Sequence, residues 1–223
     1  MTDLMALPDL LRTAGANMTH RGGRAVPADY GSAAGELAVC MRGVGLATRA
    51  DLATLSLRGK ARGLDQLLQR FLGHPVATGG AVLEAGAWWS RPFDEEVLVV
   101  CRYDRAKRLR VALAQEVSRF TAATLIDQGE DRALLEIAGR HTGRVLATLG
   151  LGSATSPVIA ALNAVWILQS DTSALAIVPA VEAAGLWKTL DAAGHPHGIS
   201  CVGIDALERY TLVERAAGHR TLL

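Results

Sequence analysis

LSLRGKARGLDQLLQRFLG, residues Leu55–Gly73, and LEIAGRHTGRVLATLGLG, residues Leu135–Gly152, read as two versions of one unit. Each is a strand, a glycine, a basic residue and a helix. Gly59 is followed by Lys60 and Gly139 by Arg140, and a second glycine, Gly63 or Gly143, falls four residues on. What comes after each copy agrees in pattern, so a tandem duplication is the first expectation.

Working outward, the first copy predicts strand Asp51–Leu57, helix Lys60–Leu72, strand Ala81–Ser90, a turn around Pro92 and Asp94, strand Glu96–Cys101, helix Asp104–Val117 and strand Thr121–Asp127. The second predicts strand Ala133–Ala138, helix Arg140–Leu149, strand Ala164–Gln169, a turn at Asp171–Ser173, strand Ala174–Val178, helix Ala180–Ala193 and strand Ile199–Val202. Both orders are βαββαβ, the ferredoxin-like unit. Ahead of them, Leu4–Arg12 has helical spacing, Gly22 to Gly31 reads as a loop around Pro27, and Ser32 caps a helix to Met41 with Glu36 in capping-box register. Gly43 and Gly45 end that helix, and Ile204–Arg215 predicts a closing helix across one sheet. The segment Gly150–Pro157 is too short for a free tether. The expectation is an α+β protein, one domain over residues 1–223, with fused halves at about 46–128 and 130–215.

Composition narrows the function. Half of the 223 residues are hydrophobic, and a net charge of +1 with acids and bases interspersed offers no basic stripe for nucleic acid. The start, MTDLMALPDLLRTAGA, lacks the pattern of a signal peptide, and no apolar run is long enough for a bilayer. Three scattered cysteines, Cys40, Cys101 and Cys201, predict neither disulfides nor a zinc site. A cytoplasmic protein with no nucleic-acid or membrane partner is expected.

Motifs are few. GKARG and GRHTG lack the frame of a phosphate loop, so Gly59 and Gly139 read as strand-to-helix turns. His195 and His197 flank Pro196 without further ligands at metal spacing, and GxSxG is absent. Trp88 and Trp89 stand out, because neighbours in a strand face opposite sides: one ring can enter the core while the other faces a helix, a partner or a flat ligand.

The stretch Gly15–Leu68 resembles the start of the glycine cleavage T-protein, or aminomethyltransferase, superfamily. The features that carry the likeness are Gly15-Ala16, Gly22-Gly23, Val26-Pro27, Tyr30, Glu36, Val44-Gly45-Leu46, the strand Asp51–Leu57, and Gly59 with Ala61. GGAVLEAGAWWSRPFDEEVLVVC, IAGRHTGRVLATLG and VGIDALERYTLVERAAG are similar to later elements of that family, in order. The resemblance implies a folate-binding domain of ferredoxin-like halves, tetrahydrofolate as cofactor, and one-carbon transfer or demethylation from a small amine or methylated donor. It places a catalytic carboxylate at Glu84, cofactor contacts at Asp29, Tyr30, Trp88 and Trp89, and no metal.

The sequence also departs from the family. HPVAT replaces the Tyr-x-x-x-Leu-Asn segment, the family's two aspartates fall near Ala85 and Gly86, and its asparagine falls at Cys101. QSDTSALAIVP stands where Arg-Thr-Gly-Tyr-Thr-Gly-Glu is expected, the arginine of the closing helix falls at Leu207, and the sequence stops where the family's barrel would begin. These departures imply two alternatives. One is a non-catalytic subunit similar to the γ subunit of sarcosine oxidase, an oligomer with flavin oxidoreductase subunits; the other is a folate-independent biosynthetic enzyme on the same scaffold.

Overall fold

A computed structural model describes residues 7–119, 123–152 and 156–217. The chain begins with α1 (Leu7–Thr13); residues 4–6 of the predicted first helix lie outside the described residues. The stretch predicted as a loop is instead half of a two-stranded ribbon, β1 (Asn17–Arg21) against β2 (Arg24–Asp29), turning at Gly22 and Gly23 with φ of 60° and 89°. Pro27 is compatible with β2 because this ribbon has no third strand that would need its missing N–H.

Ser32 caps α2 (Ala33–Arg42), its hydroxyl accepting from the Gly35 N–H at 3.2 Å. Glu36 sits one position too late for a capping box. Its carboxylate instead accepts the Tyr30 N–H at 2.6 Å and the Gly203 N–H at 2.7 Å, joining the ribbon to the far end of the chain. After α2 comes a strand that the glycine-based reading missed, β3 (Val44–Thr48). All its residues are buried, so it carries no polar alternation to betray it.

The first copy then runs β4 (Leu52–Gly59), α3 (Ala61–Phe71), β5 (Ala81–Glu84), β6 (Ala87–Phe93), β7 (Glu96–Arg102), α4 (Tyr103–Val117) and β8 (Ala123–Asp127). Residues 121 and 122 of the predicted last strand lie outside the described residues. The second copy runs β9 (Arg132–Ala138), α5 (Thr142–Thr148), β10 (Val158–Ala161), β11 (Ala164–Ser170), β12 (Ser173–Pro179), a 3-10 turn (Ala180–Glu182), α6 (Ala183–Gly194), a second 3-10 turn (His195–His197) and β13 (Ile199–Cys201), and α7 (Ile204–Ala216) follows. Residues 153–155 of Gly150–Pro157 are likewise outside the description.

Each copy holds one strand more than predicted. The expected strand Ala81–Ser90 is a hairpin, folded at Ala85 and Gly86 with φ of 50° and 71°, and Val158–Ala161 forms the matching hairpin strand in the second copy. The antiparallel order β5-β6-β7-β4-β8 contains the ferredoxin-like core β6-β7-β4-β8 with β5 added at its edge. The other sheet is ordered β10-β11-β12-β9-β3-β13, so β3, which precedes the first copy, is wedged inside the sheet of the second. There it runs parallel to β13 and antiparallel to β9.

The two sheets stack face to face. Trp88, Leu98 and Val100 meet Leu134, Val165, Ile167, Leu175 and Ile177 across the seam. On the outer face of the five-stranded sheet, Leu64, Leu67, Leu68 and Leu113 of α3 and α4 pack on Leu55, Leu57, Trp89 and Val99. On the outer face of the six-stranded sheet, Val145, Leu186 and Leu190 of α5 and α6 pack on Leu46, Leu135, Ile137 and Trp166. Strict alternation produces this four-layer order, since every strand at the seam has apolar residues on both faces. Leu207 and Tyr210 of α7 pack with Cys40 of α2 beside Ala47 and Ala138. That approach needs Gly45, whose added Cβ would lie 2.6 Å from Val202 and 2.7 Å from the Cys40 sulfur.

Candidate functional site

Where α7 passes the end of the seam, the sheets leave a cavity of about 510 Å³. Leu52, Leu83, Trp88 and Val100 of the five-stranded sheet form one wall. Glu136, Gln169 and Ser173 of the six-stranded sheet form the other, while Leu207, Tyr210 and Glu214 of α7 close the side. Arg102 and Arg215, both exposed, stand at the mouth.

Glu136 is the unusual member. In β9 the positions 134, 136 and 138 face the seam, so the strand's only carboxylate points between the sheets and is 4% exposed. A buried carboxylate requires partners. Arg49, in the turn after β3, donates Nη1 to Glu136 and holds Asp51 with two further bonds, Nε at 2.9 Å and Nη2 at 2.8 Å. The Ser173 hydroxyl lies 3.0 Å from Glu136 Oε1 and 2.8 Å from Gln169 Oε1. Burial of Arg49 works against its charge, but Glu136 and Asp51 outweigh that and hold its pKa above the usual arginine value.

Burial also raises a phenol and two thiols. Burial pushes the Tyr210 phenol up to about 12, so it is neutral and can donate a proton in a hydrogen bond. Burial, helped by Asp104, pushes the cavity-lining Cys101 thiol up to about 11, and burial pushes Cys40 up to about 12. Neither is a thiolate nucleophile at neutral pH.

Of the residues singled out from sequence, Trp88 lines the cavity. Its neighbour Trp89 faces the other way and is fully buried against Phe71 at a ring separation of 5.3 Å, its indole N–H donating to the Glu84 carbonyl at 3.3 Å. Glu84 sits at the end of β5 in the register opposite to the cavity-lining Leu83, with its carboxylate 2.9 Å from His74 Nε2 at the surface. Asp29 ends β2, where the Asn17 amide at 2.6 Å and the Gly31 N–H at 2.8 Å hold its carboxyl below the usual range. Tyr30 packs against the helix-covered side of the six-stranded sheet. Trp88 alone of the five therefore borders the cavity, and Glu84, Asp29, Tyr30 and Trp89 stand apart from it.

Arg49, Glu136 and Tyr210 escaped the sequence reading. The legible signal was Glu136, the one charge inside the apolar run LLEIA. Among the described residues no group of three or more His, Cys, Asp or Glu side chains could hold a metal. The His141 ring packs against His197, with Nδ1 3.2 Å from the His197 carbonyl. No helix of the described residues is long and apolar enough to cross a membrane.

No protein-family model and no curated relative matches the chain. Solved structures do. The chain is similar to the glycine cleavage system aminomethyltransferase T from Bartonella henselae, 18% identical, with a TM-score of 0.73 over 92% of this chain and 61% of that one. It is also similar to a chain of the heterotetrameric sarcosine oxidase from Corynebacterium sp. U-96 in complex with pyrrole 2-carboxylate, 17% identical, with a TM-score of 0.57 over 79% of this chain and 97% of that one. The protein thus has the mixed α+β, T-protein-like fold that the sequence resemblance implied, and it spans 61% of the length of the aminomethyltransferase.

Proposed function

We propose that the chain is a tetrahydrofolate-dependent component of one-carbon transfer or demethylation, and that it seats the carrier in the cavity between the sheets. The observation that carries this reading is the pairing of the Trp88 wall with the fixed Glu136 acceptor in one cavity. A reduced pterin is flat and bears N–H donors along one edge, so its ring suits a tryptophan face and its edge suits a carboxylate. The acidic tail of the carrier would then lie at the mouth beside Arg102 and Arg215. In this reading the carboxylate role passes from Glu84 to Glu136, because Glu136 is the one with access to the cavity.

Isothermal titration with tetrahydrofolate and 5,10-methylenetetrahydrofolate tests it. The expected result is saturable binding that Trp88→Leu weakens at least tenfold. Absence of binding by either compound overturns the proposal.

A second reading is a non-catalytic subunit beside flavin-bearing partners. It is favoured by extent: the chain covers 97% of the sarcosine oxidase chain it matches. It is favoured also by Leu212, 64% exposed on α7 at the cavity rim. Light scattering on the isolated protein discriminates, since a monodisperse, soluble monomer counts against an obligate subunit.

A further inference from the structure

The cavity floor has an uneven charge. One guanidinium, Arg49, serves two carboxylates, Glu136 and Asp51, and the three form a connected set whose side chains are 17%, 6% and 12% exposed. One positive against two negatives leaves this set with one net negative charge; Arg49 and Glu136 line the cavity, and Asp51 reaches it through Arg49. The rest of the lining does not offset it: Arg102 and Arg215 are matched in number by Glu208 and Glu214. Those charges are engaged as well, Arg102 with Asp104 at 3.5 Å, Glu208 with Arg21 at 3.8 Å, and Glu214 with the Thr172 hydroxyl at 2.6 Å. Tyr210, neutral, adds no charge.

A net negative floor behind a tryptophan wall is a chemical description of a cation site. The electron-rich face of an indole attracts positive charge, and low surrounding polarity strengthens the attraction. Gln169 Oε1 and the second lone pairs of the Glu136 oxygens supply acceptors to a donor-rich cation, whereas an anion beside Glu136 would meet Arg49 and Ser173, whose donors are already committed there.

We infer that the cavity is selective for a planar, delocalised nitrogen cation, of amidinium or protonated-heterocycle type, laid on Trp88 with its N–H groups toward Glu136. The inference rests on the reading above only for the place of the site. Tetrahydrofolate can fail to bind while the charge preference stands, and the carrier can bind while the preference fails.

The test uses three probes of one shape, benzamidine (cation), benzamide (neutral) and benzoate (anion), titrated against the full chain by isothermal calorimetry at low salt. The expected order is benzamidine at least tenfold tighter than benzamide, with benzoate weaker still. Glu136→Gln should shrink the benzamidine advantage to about twofold while leaving benzamide unchanged. Because Glu136→Gln also disturbs Arg49, Asp51→Asn provides a second variant that keeps the Arg49–Glu136 bond, and it should reduce the advantage by a smaller factor. Equal binding of the three probes, preference for benzoate, no binding by any, or an advantage that survives both variants would overturn the inference.

Discussion

The hairpins β5–β6 and β10–β11 are the same structure at two places in the chain, and they differ where the cavity begins. Trp89 and Trp166 occupy equivalent sites: Trp89 pairs with Val82 and Trp166 with Ile159. Each indole donates to a carbonyl five residues back, Glu84 at 3.3 Å and Ala161 at 3.2 Å. Each hairpin turns through two residues at positive φ, Ala85 and Gly86 in one, Leu162 and Asn163 in the other. The tryptophan on the seam side is not repeated, because the counterpart of Trp88 is Val165. The recurring ring is architecture, and the unpaired one lines the cavity.

The first and fourth strands of the copies make the same point with a carboxylate. Ser56 on β4 donates to Glu96 on β7 at 2.8 Å, while on the equivalent strands β9 and β12 Ser173 stands 3.0 Å from Glu136. The serine and the glutamate have traded places. In the first copy the carboxylate lies toward the strand end, paired with a half-exposed Arg58; in the second it is central, buried and met by Arg49.

The comparison can be broken most decisively at the indoles. Trp89→Ala and Trp166→Ala should each cost about 3–5 kcal/mol in denaturant unfolding, since both rings are fully buried. Trp88→Val, which makes the first hairpin like the second, should cost less, because that buried ring has the cavity on one side and valine keeps part of its seam packing. Similar losses at all three sites would remove the distinction between architecture and site.

Arg49→Met should cost about 3 kcal/mol by leaving Glu136 buried without its cation, and adding Glu136→Leu should recover most of that loss. The matching change Arg58→Met removes a half-exposed arginine from Glu96, which keeps its Ser56 hydrogen bond, and should cost no more than about 1 kcal/mol. Gly139 holds φ of 152°, and an added Cβ would meet the Gly43 carbonyl at 2.4 Å, so Gly139→Ala should lose about 1–3 kcal/mol. Gly59, its partner in the repeat, is not at positive φ, and Gly59→Ala should lose less. The smallest effect is a gain: Leu162 is a side chain at φ of 55° in a tight turn, and Leu162→Gly should raise stability by about 0.5–1 kcal/mol.

The duplication was legible because strand, glycine and helix recur in local pattern, and the elements around Gly59 and Gly139 fall within a residue or two of expectation. The hairpin turn at Ala85 was not, since alanine carries no turn signal and Gly86 is a lone glycine in the mostly apolar run AVLEAGAWWS. The β1–β2 ribbon hid behind Pro27 and its glycines, and β3 behind uniform burial. At the site, alternation guaranteed that Trp88 and Trp89 would part, but which one met the cavity depended on sheet stacking. Arg49 and Glu136 lie 87 residues apart, and no local pattern connects them.

The wedged strand β3 also constrains how the chain is made. During synthesis Val44–Thr48 leaves the ribosome before either neighbour exists, since its partners Leu135–Ala138 and Ile199–Cys201 come much later. The first copy can close on its own while β3 waits with both edges unpaired, and such edges invite pairing with other chains. A cut in the loop between β8 and β9 would therefore not release two self-sufficient halves: the N-terminal piece would carry away the strand that completes its neighbour.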